Sequence, residues 1–218
     1  AMSEGPDTRM IQLVMALRRA GISDKHVLSA IERTPREHFV PSGFQDQAFE
    51  NRPLPIDCGQ TISQPYVVAA MTAALSVDDR CKVLEVGTGS GYQAAVLARL
   101  ARRVYTIERY RTLAREAEGR FSHLRLTNIV TRVGDGALGW PEQAPFDRII
   151  VTAAAQSRPD TLLAQLKPGG ICVAPVKRGE AQTLMRYTRP DDGDAAVSET
   201  ALFDVRFVPL VPGAARSF

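Results

Sequence analysis

Five residues, Gly87-Thr88-Gly89-Ser90-Gly91, follow the short apolar run Lys82–Val86 and precede the helix-like stretch Tyr92–Leu100. A glycine-rich turn between a strand and a helix lets main-chain atoms approach a ligand closely. The first amides of the helix then face that ligand with partial positive charge. The arrangement suits nucleotide-like cofactors in general, and its spacing narrows the choice. A dinucleotide fingerprint, G-x-G-x-x-G, would need glycine where Tyr92 stands. The observed G-x-G-x-G disfavours NAD and fits a ligand without pyrophosphate. Glu108 closes the next strand, 21 residues after Gly87. A carboxylate at a strand end faces the cofactor crevice and can accept both hydroxyls of a ribose. Glu85, two residues before Gly87, could contact a cationic amino group, directly or through water. Gly134-Asp135-Gly136 follows the third strand, where Asp135 could accept from an adenine amino group. Each part alone has an ordinary reading: an exposed ion pair of Glu108 with Arg109 or Arg111, a strand-end charge at Glu85, a plain turn at Asp135. Together they describe an S-adenosylmethionine pocket.

Upstream, residues 59–66 read Gly-Gln-Thr-Ile-Ser-Gln-Pro-Tyr. Taken alone, this is a helix start, with Ser63 as N-cap and Pro65 in the first turn. The same chain also carries, in order, VLEVGTGSGYQ (83–93), GDG (134–136), FDRIIVTAA (146–154), LKPGG (166–170) and VRFVPLV (205–211). This set resembles the protein-L-isoaspartate O-methyltransferase family over nearly the whole chain, from about Arg9 to Val211. The glycine loop and LKPGG recur across many methyltransferases, whereas GQTISQPY and VRFVPLV are far more specific. Asp57-Cys58, just before Gly59, departs from the small or neutral polar residues expected there.

The resemblance implies a Rossmann-like, seven-stranded methyltransferase sheet, mostly parallel, with a C-terminal antiparallel hairpin and N-terminal helices. It implies Ser63 as the active-site residue, with Thr61 beside it on the substrate side. Ile62, Gln64, Glu85, Gly87, Thr88, Gly89, Ser90, Glu108, Arg109, Asp135 and Gly136 fall at cofactor positions. Val208, Pro209, Leu210 and Val211 would line a peptide groove. The implied reaction moves a methyl group from S-adenosyl-L-methionine to the free α-carboxylate of an isoaspartyl residue, leaving S-adenosyl-L-homocysteine. Such a carboxylate has a pKa of ~3.5 and is already ionised, so no general base is needed. The serine then serves as a hydrogen-bond donor that orients the carboxylate. As a nucleophile it would need a base partner, and no motif offers a histidine for one.

These residues need a frame that brings strand ends together. Thr8–Ala20 has apolar residues at helical spacing, and Ser23 is placed to cap a second helix that Pro35 stops. Residues 35–62 are punctuated by proline and glycine and read as loop, and Pro65–Leu75 reads as helix. Strands are expected at 82–86, 103–107, 129–133, 146–151 and 171–175, with helices near 92–100, 110–121 and 159–166. This alternation means βαβ crossovers and a buried parallel α/β sheet. The turn Lys167–Gly170 leads into the fifth strand. Strands at 183–188 and 200–208, joined by a tight turn at Pro190–Asp194, would form an antiparallel hairpin at the sheet edge. The expected organisation is one domain, 1–218, with N-terminal helices and active-site loop (8–76), a cofactor-binding core (80–175) and the hairpin (176–211).

The chain has 218 residues, 44% hydrophobic and 23% charged, with a net charge of +3. That composition excludes a disordered chain, and the charge demands neither nucleic acid nor membrane. No run approaches a membrane span. Ile11–Leu17 is broken by Gln12 and followed by Arg18 and Arg19, which argues against a signal peptide. Cys58, Cys81 and Cys172 are scattered and odd in number, so a reduced, cytoplasmic setting is the simplest reading. With His26, His38 and His123 equally scattered, no metal site is expected. The expected partners are isoaspartyl peptides and unfolded proteins, met by a monomer. Three other readings stay open on the residues alone: a methyltransferase of small molecules or RNA, a non-catalytic cofactor-binding module, and an NAD oxidoreductase. The arginines at 99, 102, 103, 109, 111 and 115 would serve RNA, but aromatic residues for base stacking are sparse among them.

Overall fold

The computed structural model describes residues 7–192 and 196–216. Helix α1 (Thr8–Arg19) starts where the Asp7 carboxylate accepts the Arg9 main-chain N–H, and it buries Met10, Leu13 and Leu17 along one face. Helix α2 (Lys25–Glu32) is capped by Asp24, not by Ser23 as expected. One Asp24 oxygen accepts from the His26 and Val27 N–H groups at 3.0 and 3.2 Å. Those are the second and third helical donors, which a cap residue immediately before the helix reaches. The following segment holds short 3₁₀ turns and a two-residue antiparallel ladder, β1 (Leu54–Pro55) against β2 (Thr61–Ile62). Helix α3 (Pro65–Leu75) has the expected bounds, with Pro65 in its first turn and left-handed Ser76 at its end.

The remaining elements are β3 (Lys82–Val86), α4 (Tyr92–Ala98), β4 (Arg103–Glu108), α5 (Arg111–His123), β5 (Ile129–Val133), β6 (Phe146–Val151), α6 (Asp160–Leu163), β7 (Leu166–Arg178), β8 (Ala181–Thr188) and β9 (Ser198–Val205). The large sheet has seven strands in the order β5-β4-β3-β6-β7-β8-β9. Strands β5 to β7 are mutually parallel, and β8 runs antiparallel to both β7 and β9. The chain winds from β3 outward in both directions, so β3 lies at the switch point where strand ends open a crevice.

Side chains of the inner strands alternate between two cores. Val83, Val104, Ile150 and Val173 pack with the N-terminal helices and α4. Leu84, Val86, Tyr105, Ile107, Ile149 and Val151 pack on the other face with Trp140, Leu162 and Leu163. Burial on both faces is why these strands read as near-continuous apolar runs. The same alternation directs Glu85 and Thr106 to the face of Val83 and Val104, and both are fully buried.

Several expectations are corrected. Helix α4 ends at Ala98 and α6 is only four residues long. Lys167–Gly170 is not a turn ahead of a strand; it lies within β7. Phe146 pairs with Leu166 and Arg148 with Ile171, so β7 spends five positions where β6 spends two. The surplus bulges outward and bonds to the end of β8, through Gly169 N–H to Arg189 O and Arg189 N–H to Gly170 O. The tight connection joins β7 to β8 at Gly179-Glu180. The β8–β9 connection spans 189–197, and Gly193 and Asp194 of the expected turn lie outside the described residues. Strand β9 ends at Val205 rather than Val208. Beyond it the chain crosses to the end of β6, where Ala154 N–H donates to Val208 O and Leu210 N–H donates to Ala154 O, both at 2.8 Å. Among the described residues no helix is long and apolar enough to cross a membrane. No cluster of three or more His, Cys, Asp or Glu among them could hold a metal ion.

Candidate active site

A crevice opens at the carboxyl ends of β3, β4 and β6, enclosing about 920 Å³ with its mouth included. Its floor is the loop 87–90. Gly87 has φ +98°, and a Cβ there would stand 2.5 Å from Thr152 Oγ1, so a side chain is excluded by conformation and by space. The Gly87 and Thr88 N–H groups donate to Ile107 O, which fixes the loop against the end of β4. Ile56 leans over the loop, its Cδ1 3.8 Å from the Cβ position of Gly89.

Glu108 ends β4 in the crevice wall, only 5% exposed. Gly89 N–H donates to Oε1 at 2.8 Å and Tyr110 N–H donates to Oε2 at 2.9 Å. Burial raises its pKa, and these main-chain donors oppose the rise. Arg109 lines the crevice beside it and reaches the C-terminal segment, donating from Nε to Gly213 O at 3.3 Å. Thr88 and Ser90 are also in the lining. The Thr88 hydroxyl meets the Thr106 hydroxyl at 2.6 Å, and Thr106 donates to Glu85 Oε1 at 2.6 Å. Glu85 itself lies beneath the wall, not in it, because strand alternation turns it into the helical core. Its Oε2 is buried with no partner among the described residues. Burial pushes its carboxyl up to about 8. Gly136 lines the crevice, whereas Asp135 does not: its carboxylate caps the turn that follows, accepting the Ala137 N–H at 3.0 Å.

The segment 60–63 forms the opposite wall, with Ile62 buried at its centre. Ser63 does not cap α3. Asn51, fifteen residues before Tyr66, accepts the Tyr66 N–H at 3.0 Å in that role. The half-buried Ser63 hydroxyl has no hydrogen bond within the described residues, and its main-chain carbonyl accepts from Arg36 Nη2 at 3.3 Å. Thr61 and Ser63 line a second cavity as well, a groove on the other side of the segment bounded by Val67, Gln182, Asp204 and Phe207. Gln64 belongs to that groove and not to the crevice. Val208, Pro209, Leu210 and Val211 line the crevice, held there by their pairing with Ala154.

Sequence reasoning assigned no role to several residues in or behind these walls. Thr152 lies within FDRIIVTAA, and its place at the end of β6 beside the switch point was a usable signal. Tyr92, Gln93 and Met71 enter the crevice from helices whose buried faces read simply as core. Arg36 and Asn51 act through main-chain groups distant in sequence, and no local pattern marks them.

Comparison with known proteins gives a consistent result. The family described as Protein-L-isoaspartate(D-aspartate) O-methyltransferase (PCMT) matches residues 8–215. A protein-L-isoaspartate O-methyltransferase of Maricaulis maris (strain MCS10) is 69% identical over 212 residues, covering 97% of this chain and 98% of the relative. One from Parvibaculum lavamentivorans is 60% identical over 220 residues, covering 99% and 97%. A solved protein-L-isoaspartate O-methyltransferase superposes with a TM-score of 0.82 at 29% identity; the match covers 92% of this chain but only 65% of that longer one. A Plasmodium falciparum structure, described as a putative protein-L-isoaspartate O-methyltransferase in complex with S-adenosyl-L-homocysteine, shares the fold with a TM-score of 0.79 at 23% identity, covering 92% and 97%.

Proposed function

The chain belongs to the protein-L-isoaspartate O-methyltransferase family, and from that premise we propose that it esterifies the free α-carboxylate of L-isoaspartyl residues in damaged proteins and peptides. The observation that carries this reading is the double exposure of Thr61 and Ser63. They stand between a crevice suited to a nucleoside and a groove open to a polypeptide, where donor and acceptor can meet.

The crevice residues fit S-adenosylmethionine. Each Glu108 oxygen carries one main-chain N–H and keeps capacity for a further donor, which suits a vicinal diol. Glu85 reaches the crevice by a relay, its Oε1 accepting from the Thr106 hydroxyl that meets the Thr88 hydroxyl in the lining, while its Oε2 is buried with no partner among the described residues; an amino group linked through those hydroxyls, or through a water, suits it. Gly87, Thr88, Gly89, Ser90, Arg109 and Gly136 would hold the rest, with Ile62 on the facing wall. Asp135 would act through the turn it caps and Gln64 from the groove side. When bound, the cofactor supplies a methyl group activated by a sulfonium centre.

The chain's own residues contribute placement. The acceptor carboxylate arrives ionised, so nothing has to remove a proton. Ser63 Oγ–H donates to it and holds one oxygen toward the crevice, with Thr61 beside it. Near-attack positioning of this kind contributes roughly 7–11 kcal/mol in favourable cases. Ala154 takes Val208 O and Leu210 N–H, and the main-chain groups left on Val208–Val211 would let an extended peptide add hydrogen bonds without demanding a sequence. After release, the next main-chain nitrogen attacks the ester carbonyl and expels methanol, giving a succinimide. Hydrolysis of that ring returns part of the chain to normal aspartate.

We further propose that the enzyme works as a monomer in the cytoplasm, without nucleic-acid or membrane partners. Both cavities are completed by one chain, and the three free cysteines suit a reducing compartment. The test is repair itself. An isoaspartyl peptide incubated with enzyme and S-adenosylmethionine should pass through succinimide to its aspartyl isomer, resolved by chromatography and mass spectrometry. Persistence of the isoaspartyl form despite consumption of the methyl donor would overturn the assignment.

A further inference from the structure

Arg36 is fully buried, 0% exposed, yet no carboxylate pairs with it among the described residues. Its guanidinium is held by main-chain carbonyls instead. Nη1 donates to Ala48 O at 2.8 Å and Glu50 O at 3.1 Å; Nη2 donates to Arg52 O at 2.8 Å and Ser63 O at 3.3 Å. Burial pulls its pKa down to about 10, so it remains a cation at neutral pH. The Nε N–H is buried with no partner among the described residues, so this cation is costly to bury, and what its four bonds secure is the shape of the loop.

That shape is the approach to Ser63. The chain leaves Arg52, runs through β1, a turn containing left-handed Cys58, and β2, and returns at Ser63. The β1–β2 ladder is two residues long and cannot hold this excursion alone. Nη2 of Arg36 touches both of its ends at once. Nη1 fixes the segment leading into it, close to Asn51, which caps α3 just beyond. The planar fork of a guanidinium can serve four carbonyls in fixed directions, whereas an ammonium group has three donors and no plane.

We propose that Arg36 is a positioning residue for methyl transfer: by clamping the Ser63 carbonyl to Arg52, it aims the Ser63 hydroxyl at the acceptor carboxylate. This rests on the orienting role given to Ser63 above. Arg36 hydrogen-bonds the crevice lining only through the Ser63 main chain and interacts electrostatically with the buried Tyr92 phenol; none of the cofactor positions named above is among its partners, so cofactor affinity should be insensitive to it.

A double-mutant cycle tests this, with kcat/KM for an isoaspartyl peptide, S-adenosylhomocysteine affinity by calorimetry, and thermal unfolding measured for each protein. Arg36→Lys should lower kcat/KM about tenfold, the scale of one misaligned charge-assisted hydrogen bond. On a Ser63→Ala background the same change should cost less than about threefold, because no hydroxyl remains to be aimed. S-adenosylhomocysteine affinity should stay within about twofold throughout. An equal loss on both backgrounds would mean that Arg36 is merely structural and would overturn the proposal while leaving Ser63 its role. Wild-type turnover in Ser63→Ala alone would overturn the Ser63 reading and the Arg36 proposal with it. If Arg36→Lys does not fold, Arg36→Gln, which keeps two N–H donors for the carbonyls, is scored by the same criterion.

Discussion

Truncating Ser63 to alanine should separate acceptor chemistry from everything else the protein does. The hydroxyl makes no hydrogen bond within the described residues, and the anchor at this position is the main-chain carbonyl, which alanine retains. Asn51, not Ser63, caps α3. Removing the hydroxyl therefore orphans no buried partner, and unfolding free energy should change by less than about 0.5 kcal/mol. The loss falls on the bound acceptor alone. A hydrogen bond to a charged group contributes about 1.5–3 kcal/mol, so kcat/KM for an isoaspartyl peptide should drop about 10- to 150-fold. S-adenosylhomocysteine affinity should hold. Initial rates of labelled methyl incorporation, calorimetry with S-adenosylhomocysteine and urea unfolding measure the three quantities on one preparation. A loss in kcat/KM below about threefold, or a parallel loss of S-adenosylhomocysteine affinity, would refute the orienting role.

Three further changes probe the crevice. Glu108→Gln must turn an amide –NH₂ toward either the Gly89 or the Tyr110 N–H, which now donate to the two carboxylate oxygens. Stability should fall by about 1–3 kcal/mol and S-adenosylhomocysteine should bind at least about tenfold more weakly by calorimetry; unaltered binding would remove Glu108 from the ribose site. Glu85, pushed up to about 8 by burial, keeps its proton at pH 7 when folded but ionises above about 4.5 when unfolded. The folded state then holds the extra proton, so stability is full below about 4.5, declines as pH rises to about 8, and levels off beyond, a loss on the order of 5 kcal/mol. Glu85→Gln should flatten that slope in urea unfolding at pH 5 and pH 9, and an unchanged slope would contradict the burial argument. Gly87→Ala forces φ +98° on a residue with a side chain and drives its Cβ toward Thr152 Oγ1. The conformational term alone is about 1–2 kcal/mol, so the melting temperature should fall by at least about 3 °C, and an unchanged value would refute the strain.

Much of this architecture was legible because its causes are local. Pro65 opens a helix, and β3, β5 and β6 show the bounds expected of strands in a parallel sheet. The glycine loop and Glu108 converge because strand ends at a switch point must do so. What escaped depends on partners remote in the chain. Asn51 caps α3 from another turn, so the Ser63-Pro65 pattern suggested a cap that does not form. Lys167–Gly170 reads as a turn, but Arg189 at the end of β8 folds it into β7 as a bulge. The run 205–211 reads as one strand, but Ala154 draws its second half away to the crevice. Glu85 and Asp135 read alike as strand-end carboxylates in sequence; strand alternation sets the first beneath the wall, and the second accepts the Ala137 N–H of its own turn with one oxygen.

The acceptor of the transferred methyl group is a misplaced main-chain carboxylate. A matched pair of peptides, identical except for isoaspartyl against normal aspartyl at one position, puts that claim directly to initial-rate methyl transfer. Ester formation confined to the isoaspartyl peptide is the predicted result; equal labelling of the two peptides would contradict it.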